Sequence, residues 1–328
     1  LVGATKDDVK NTLNSLGNDA YLNANNASIV NAMIMTRAVK DQVMGVGNGR
    51  SAEFDGQTAR IWINGFGNWS NVDYGQSDMD VDFYAGLLGA EVDITEGTTA
   101  GLFFGTGSTK FKAGNDGKID SDDIHFGVYG LSDIAQVVSL NYGVIHSHQD
   151  RDAERTLTVG NQSQHNAVSG DADITQVFAE AAYTNWHTTA YSVEPYLGFS
   201  WIHVKNDGFS ENVDDMTFTT DNDKQNLEVA TIGLRGDVPF TLGGVNMAVK
   251  GHLSGTHFFG DNRSEAAIYL DNAGVATIEG GKLDNLLGVG VGVEAELAKS
   301  VKASLSYTGA FDGDMNSNGI NVNVRLSF

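Results

Sequence analysis

The sequence has no cysteine and only two prolines among 328 residues. A disulfide framework is therefore excluded as a source of stability, although an oxidising compartment is not. Positive charge is also scarce. Lys and Arg number 20 against 42 Asp and Glu, for a formal net charge of −22. Phosphate binding needs a basic footprint, so this balance argues against nucleic acid as a partner. The acidity itself reads as solvated loops. Long apolar runs are missing too: mean hydropathy is −0.20, and the longest run, Leu286 to Val293, falls far short of the ~18 residues of a transmembrane helix. The opening "LVGATKDDVK" shows no basic segment followed by an apolar one, so Leu1 reads as an internal residue of a longer precursor.

What the chain does have is glycine, 40 residues of it, and alternation. It ends "INVNVRLSF", where Ile320, Val322, Val324, Leu326 and Phe328 interleave with Asn321, Asn323, Arg325 and Ser327. Period two marks a strand with one apolar and one polar face. In a soluble protein the apolar face meets a core; in an outer-membrane barrel it meets lipid while the polar face lines the lumen. A terminal strand left unpaired is an exposed edge, and a barrel removes that edge by pairing its last strand with its first.

Twelve segments carry strand patterns: 58–69, 79–92, 98–111, 119–131, 136–148, 172–184, 191–204, 225–238, 245–257, 285–297, 301–311 and 319–328. Most are ten to fourteen residues, whereas strands of globular proteins average ~5–6 and transmembrane strands need ~9–11. The intervening gaps alternate: 93–97, 132–135, 185–190, 239–244 and 298–300 are short, and 70–78, 112–118, 149–171, 205–224, 258–284 and 312–318 are mostly longer. A membrane barrel with turns on one side and loops on the other has this rhythm, and a soluble sandwich has no reason for it.

Residues 1–50 differ from 51–328 and read as a linker and helical segment ahead of the barrel. Thr5 to Ser15 predicts a short helix stopped at Gly17. Ser28 as N-cap and Gly45 as terminator predict a second helix over 28–44, roughly 24 Å long. Its apolar residues go most of the way round, so it expects burial on nearly all sides. Asn31, Arg37 and Lys40 interrupt it too much for a membrane span. A twelve-stranded barrel falls between the 8 strands that leave room only for side chains and the 16–18 that leave a water channel, and would accept one helix of ~10–12 Å diameter. Gly288, Gly290 and Gly292 would make room for it, with Arg60, Glu180, Glu194, Glu228, Arg235, Glu294 and Arg325 as candidates to line the lumen.

The helix followed by "ARIWINGFG", then "VEPYLGFSWIHV", "ATIGLRGDV" and the terminal "VNVRLSF" resemble, in order and spacing, the C-terminal translocator domain of type V autotransporters. The resemblance covers essentially the whole chain. It implies an all-β fold, a 12-stranded antiparallel up-and-down transmembrane barrel with an α-helix in its lumen, in the Gram-negative outer membrane. It implies export and anchoring of an upstream passenger, without enzymatic activity or cofactors. The lumen helix would present Ile29, Met33, Arg37, Lys40 and Met44, with its N-terminus toward the cell surface. Val324, Leu326 and Phe328 would form the assembly signal. Partners would be the passenger, the barrel-assembly machinery, periplasmic chaperones, and outer-membrane lipid and lipopolysaccharide, with the barrel itself a monomer.

One subgroup of that family cuts its passenger off at an Asn-Asn bond inside the barrel. Asn25-Asn26 precedes the predicted helix here, but its distance to Trp62 is longer than the subgroup's pattern and the Arg-Met-Gly-Asp run is missing. An N-cap or linker role is the preferred reading. The rival functions are an open porin, which a buried helix disfavours, an outer-membrane barrel enzyme, for which no GxSxG motif or catalytic set is found, and a soluble β-sandwich adhesin, disfavoured by strand length. His146, His148 and Asp150 share spacing with metal ligands but lack a second cluster. "DGDMNSNG" begins like a calcium loop at Asp312, Asp314 and Asn316 yet lacks the required Gly and acidic terminus, and reads as a surface turn. Trp62, Trp69, Trp186 and Trp201 read as interface anchors.

Overall fold

A computed structural model describes residues 19–43 and 58–328, apart from 74–77, 114–116, 136, 160–161, 214, 222–223 and 271–272. Among the described residues are one helix, α1 (Asp19–Val43), and twelve barrel strands. These are β1 (Ala59–Asp73), β2 (Asp78–Thr95), β3 (Thr98–Ala113), β4 (Lys118–Ile134), β5 (Val138–Val159) and β6 (Gln162–Tyr183), then β7 (Ser192–Asn206), β8 (Lys224–Leu242), β9 (Val245–Gly260), β10 (Leu286–Ala298), β11 (Val301–Phe311) and β12 (Met315–Ser327). Each pairs antiparallel with its sequence neighbours, and β12 pairs with β1 from Arg60 opposite Ser327 to Val72 opposite Met315. The closing seam reaches the last residue: the Ala59 and Phe328 backbones exchange two hydrogen bonds, of 3.2 and 3.0 Å. No strand of the barrel is left as an edge.

Alternation sets which side of the wall each residue faces. On β12, Ile320, Val322, Val324, Leu326 and Phe328 point outward and are exposed. So do Ile61 and Ile63 of β1, Leu102 and Phe104 of β3, Leu197 and Phe199 of β7, and Ile232 and Leu234 of β8. On β2 the outward apolar series runs from Tyr84 to Ile94. That is a height of about 24 Å for a strand tilted by about 45°, close to the thickness of an outer-membrane apolar band. Trp69 and Tyr84 border it in a T-shaped pair, the indole Nε1 donating to the Tyr84 hydroxyl at 2.7 Å. Trp186 and Tyr183 do the same at the opposite border, with rings 5.7 Å apart. No described helix is long and apolar enough to cross a membrane; the strands form this band.

Beyond Trp69 and Tyr84 the pattern inverts. Outward positions become Asp78, Asp80 and Asp82 on β2 and Asp120 and Asp122 on β4, while inward ones become Met79, Val81, Phe111 and Ile119. The barrel continues past the membrane as a water-bathed sheet with an apolar inside. By its sequence, 149–171 is expected as a loop. It is instead the outer half of a β5–β6 ribbon, paired from Val138–Tyr183 to Val159–Gln162. The expected loops 205–224 and 258–284 each fold into a hairpin, Phe209–Val213 with Met216–Asp221 and Arg263–Leu270 with Ala273–Lys282. Together these make a four-stranded sheet at this end. The opposite end has tight turns. Gly243 and Gly244 have φ of 60° and 85°, the left-handed geometry that a two-residue hairpin turn demands at both central positions.

The helix begins at Asp19, nine residues before the expected N-cap. Ser28 lies mid-helix, its hydroxyl bonded back to the Ala24 carbonyl at 3.1 Å. The expected helix over 5–15, together with Met44 and Gly45, lies outside the described residues. At 25 residues α1 is about 37 Å long, enough to run through the membrane band and into the outer extension. Three apolar clusters hold it. Ala20, Tyr21, Ala24 and Ala27 pack on Met79, Val81, Phe111, Ile119 and Phe209. Ile29 and Ala32 pack with Val72, Ile174, Ile202, Val204, Leu227, Val229, Phe258, Leu283, Leu286 and Met315. Met35, Ala38 and Val39 pack with Trp62, Phe66, Phe83, Leu87, Phe103 and Tyr129.

Candidate functional site

The lumen and the helix within it gather the chain's buried polar groups. At the long-loop end three asparagines of α1 are gripped by the wall and the upper hairpins. Asn23 accepts from the Gly281 backbone NH at 2.7 Å. Asn26 donates to the Gly281 carbonyl at 2.7 Å and accepts from Gln225 Nε2 at 3.1 Å. Asn25 accepts from Asn206 Nδ2 at 3.1 Å. The candidate cleavage pair, Asn25 and Asn26, therefore lies inside a continuous helix with both side chains engaged, rather than at an N-cap or in a linker. Tyr21 sits under the Arg155 guanidinium, 4.4 Å from ring centre to Cζ, and Arg155 in turn grips Glu211 of a hairpin, Nε to Oε2 2.7 Å. Arg155 and Glu211 are each about 1% exposed.

One turn below, a buried network fastens α1 to β3, β4 and β5. The Ser28 hydroxyl donates to Gln149 Oε1 at 2.6 Å and accepts from Arg151 Nη2 at 2.6 Å. Asn31 donates to Thr109 Oγ1 at 3.1 Å, and Thr109 donates to Asp123 at 2.7 Å. Gln149 Nε2 reaches the same carboxylate at 3.1 Å. Near the short-turn end the attachment becomes ionic. Lys40 Nζ lies 2.6 Å from Glu180 Oε2. Arg235 bridges Glu180 and Glu194 at 2.5 and 3.0 Å.

Of the predicted helix residues, Ile29 is fully buried in the central cluster and Met33 packs beside it. Lys40 pairs with the wall, and Arg37 pairs within the helix with Asp41 at 3.8 Å. Gly288, Gly290, Gly292, Glu294, Arg235 and Arg325 all face inward. The glycine stripe, however, does not cradle the helix. A Cβ on Gly290 would fall within 1.9 Å of the His252 ring, one on Gly288 within 2.4 Å of Ser254 Oγ, and one on Gly292 within 2.7 Å of Ser306 Cβ. These glycines make room for side chains of neighbouring strands. The helix packs on β2–β7 instead, and a crevice of about 250 Å³ separates it from the stripe. Glu294, a lumen-lining candidate, pairs with Lys250 of the neighbouring strand at 2.7 Å.

Two other placements differ from expectation. Glu228 faces outward, in the row of Trp201 and Phe259, because its neighbours Leu227 and Val229 turn inward to the apolar cluster. Trp62 is no interface anchor: it points into the lumen, is fully buried, and donates Nε1 to the Tyr129 hydroxyl at 2.7 Å. Arg60 also faces inward and lies between Asp93, Nη1 to Oδ2 2.9 Å, and Glu91 at 3.7 Å. His146 and His148 face outward on β5 and both approach Asp173, at 3.5 and 3.0 Å. Asp312 folds its carboxylate onto the Asp314 NH at 2.7 Å, as a surface turn does.

Asp123 and Arg151 are not singled out by the sequence. They lie in "DSDDIH" and "HQDRDAER", where both parities are polar and alternation cannot tell wall from water.

A helix held along a closed twelve-stranded barrel has counterparts among known proteins. The translocator domain of the autotransporter NalP from Neisseria meningitidis superposes with a TM-score of 0.74 at 15% identity, covering 94% of this chain and 99% of that one. The β-domain of the Bordetella autotransporter BrkA gives 0.64 at 16%, covering 83% and 100%. In sequence, an extracellular serine protease of Serratia marcescens is 24% identical over 278 residues. The match takes in 81% of this chain but 26% of the protease, so the activity in that name belongs to a protein about four times the matched length. The family model for the autotransporter β-domain matches residues 61–308. With strand number, seam and lumen helix in agreement, the chain belongs to the autotransporter β-domain family, the Gram-negative outer-membrane barrels that export a passenger.

Proposed function

We propose that this barrel sits in the outer membrane with its long-loop end outside, so that α1 enters from the cell surface and descends toward the periplasm. The passenger continues upstream of α1, and the helix is what remains in the lumen once export is finished. The observation that carries this reading is the grip on α1 along its whole length: Asn23 and Asn26 at one end, Ser28 and Asn31 in the middle, Lys40 at the other. A connector held at three levels anchors whatever lies before it. The outward series Val324, Leu326 and Phe328, on the strand that closes the barrel, fits a signal read by the barrel-assembly machinery, with periplasmic chaperones delivering the unfolded chain. The outward apolar band fits lipid and lipopolysaccharide around a single barrel, without a second copy.

The test is export itself. A soluble reporter fused ahead of residue 1 should reach the surface of Gram-negative cells and be shaved off by external protease, while a periplasmic marker stays intact. A reporter that is inserted with the barrel but remains protected from external protease would overturn the orientation.

A further inference from the structure

The helix does not fill the lumen evenly. On the β2–β7 side it is packed from Ala20 to Val39 by two apolar clusters, by Ile174, Ile202 and Val204 against Ile29, and by the Ser28–Asp123 network. On the β8–β12 side the apolar contacts among the described residues lie at one level, where Leu227, Val229, Phe258, Leu283, Leu286 and Met315 close on Ile29 and Met33. Below it lies the crevice of about 250 Å³. The crevice wall changes character at once: it is built of hydroxyls such as Ser304, Ser306 and Thr308, of His252, and of the charged groups of Lys250, Glu294 and Arg235. Ser304, Ser306, Thr308, His252 and Lys250 are partly exposed here, while inward residues of β4 and β5 such as Asp123, Gln149 and Arg151 are buried.

We propose that this apolar band is the permeability seal of the plugged barrel, and that the crevice beneath it is a water-filled vestibule continuous with the periplasm. The physics divides at the band. A polar, charged cavity of this volume takes up water, and ions with it. An apolar constriction against a packed helix excludes both, because an ion there would lose its hydration without gaining a partner. The glycine stripe acquires a role in this arrangement: by leaving space that His252, Ser254 and Ser306 occupy, it keeps that wall polar and away from α1. The barrier is then a local feature six side chains wide, and the remainder of the helix on that side serves as an anchor rather than a stopper.

The inference rests on the translocator reading, and the experiment separates them. The 328 residues have no cysteine, so Ser304→Cys gives this chain a single thiol, inside the crevice. A membrane-impermeant maleimide should label it from the periplasmic side and leave it unlabelled from outside intact cells. Introducing Leu227→Asn and Phe258→Asn into the same full chain should make it labelled from outside too, and should raise single-channel conductance in planar bilayers severalfold. Labelling from outside in the Ser304→Cys protein alone would overturn the seal. Labelling from neither side would overturn the vestibule. Unchanged conductance in a band variant that still shows the gel shift of a folded barrel would overturn the band as barrier. Should that variant fail to fold, the two labelling results with Ser304→Cys alone still decide. A chain that exports its reporter yet fails these tests keeps the translocator function and loses only this inference.

Discussion

At Gly89, on the inward face of β2, a Cβ would lie 2.2 Å from the indole carbons of Trp62. Trp62 cannot withdraw, because it is enclosed by Phe103 and Tyr129 and held by its hydrogen bond to the Tyr129 hydroxyl. Gly89→Ala should therefore cost about 1–3 kcal/mol, as overpacking does. Gly86→Ala, an outward position with nothing within 4 Å, should change little. Urea midpoints of the two variants in detergent micelles make the comparison, and equal midpoints would refute the packing argument. The Lys40–Glu180 contact is the second residue-scale test. Glu180 is 2% exposed and Lys40 21%, so the pair is only partly screened. A double-mutant cycle with Lys40→Met and Glu180→Gln should show a coupling of about 1–2 kcal/mol. Strict additivity would mean that the foot of α1 is not tied to the wall.

The helix carries the largest prediction among the elements. Among the described residues it is what the lumen wall rests on along β2–β7, where Phe83, Phe103 and Leu87 pack on Met35, Ala38 and Val39. Removing residues 1–50 should raise conductance severalfold, since a twelve-stranded lumen is wider than side chains alone can fill. The β-rich circular dichroism spectrum should persist, because the sheet closes through β1 and β12 without the helix. Thermal stability should fall, as it does when a packed surface is emptied. Conductance equal to that of the full chain would place the helix outside the lumen in the membrane.

For the whole molecule, the closed hydrogen-bond seam predicts a folded form that resists detergent. Unboiled samples should migrate differently from boiled ones, and the protein should require detergent to stay monodisperse. A monodisperse, detergent-free monomer would contradict the exposed apolar band of Ile63, Leu102, Ile232 and Leu326. Phe328 separates stability from assembly. It is 61% exposed, and its backbone makes the last rung of the seam. Phe328→Asp should sharply lower the amount inserted in cells while leaving refolding in vitro nearly intact, since one outward side chain is a small part of a twelve-strand sheet. Normal insertion levels in cells would remove the recognition role proposed for this residue.

The strand plan was legible in the sequence: twelve long alternating segments, joined by gaps that alternate between short and longer, point to an up-and-down membrane sheet, and closing it first to last leaves no open edge. The sequence also marked 28–44 as a buried helix and Lys40 and Arg235 as lumen residues. It could not extend the strands past the membrane, since above Trp69 and Tyr84 water replaces lipid outside and the apolar parity turns inward. For the same reason Glu228 was placed on the wrong face. Nor could it start the helix at Asp19, because asparagines that look like caps in isolation are satisfied here by Gly281, Gln225 and Asn206, more than 180 residues away in the chain. The side of the lumen on which α1 rests was decided only by tertiary packing. A glycine in the sequence announces space, and whether a helix or a neighbouring His252 takes that space depends on which strands the barrel closure brings together.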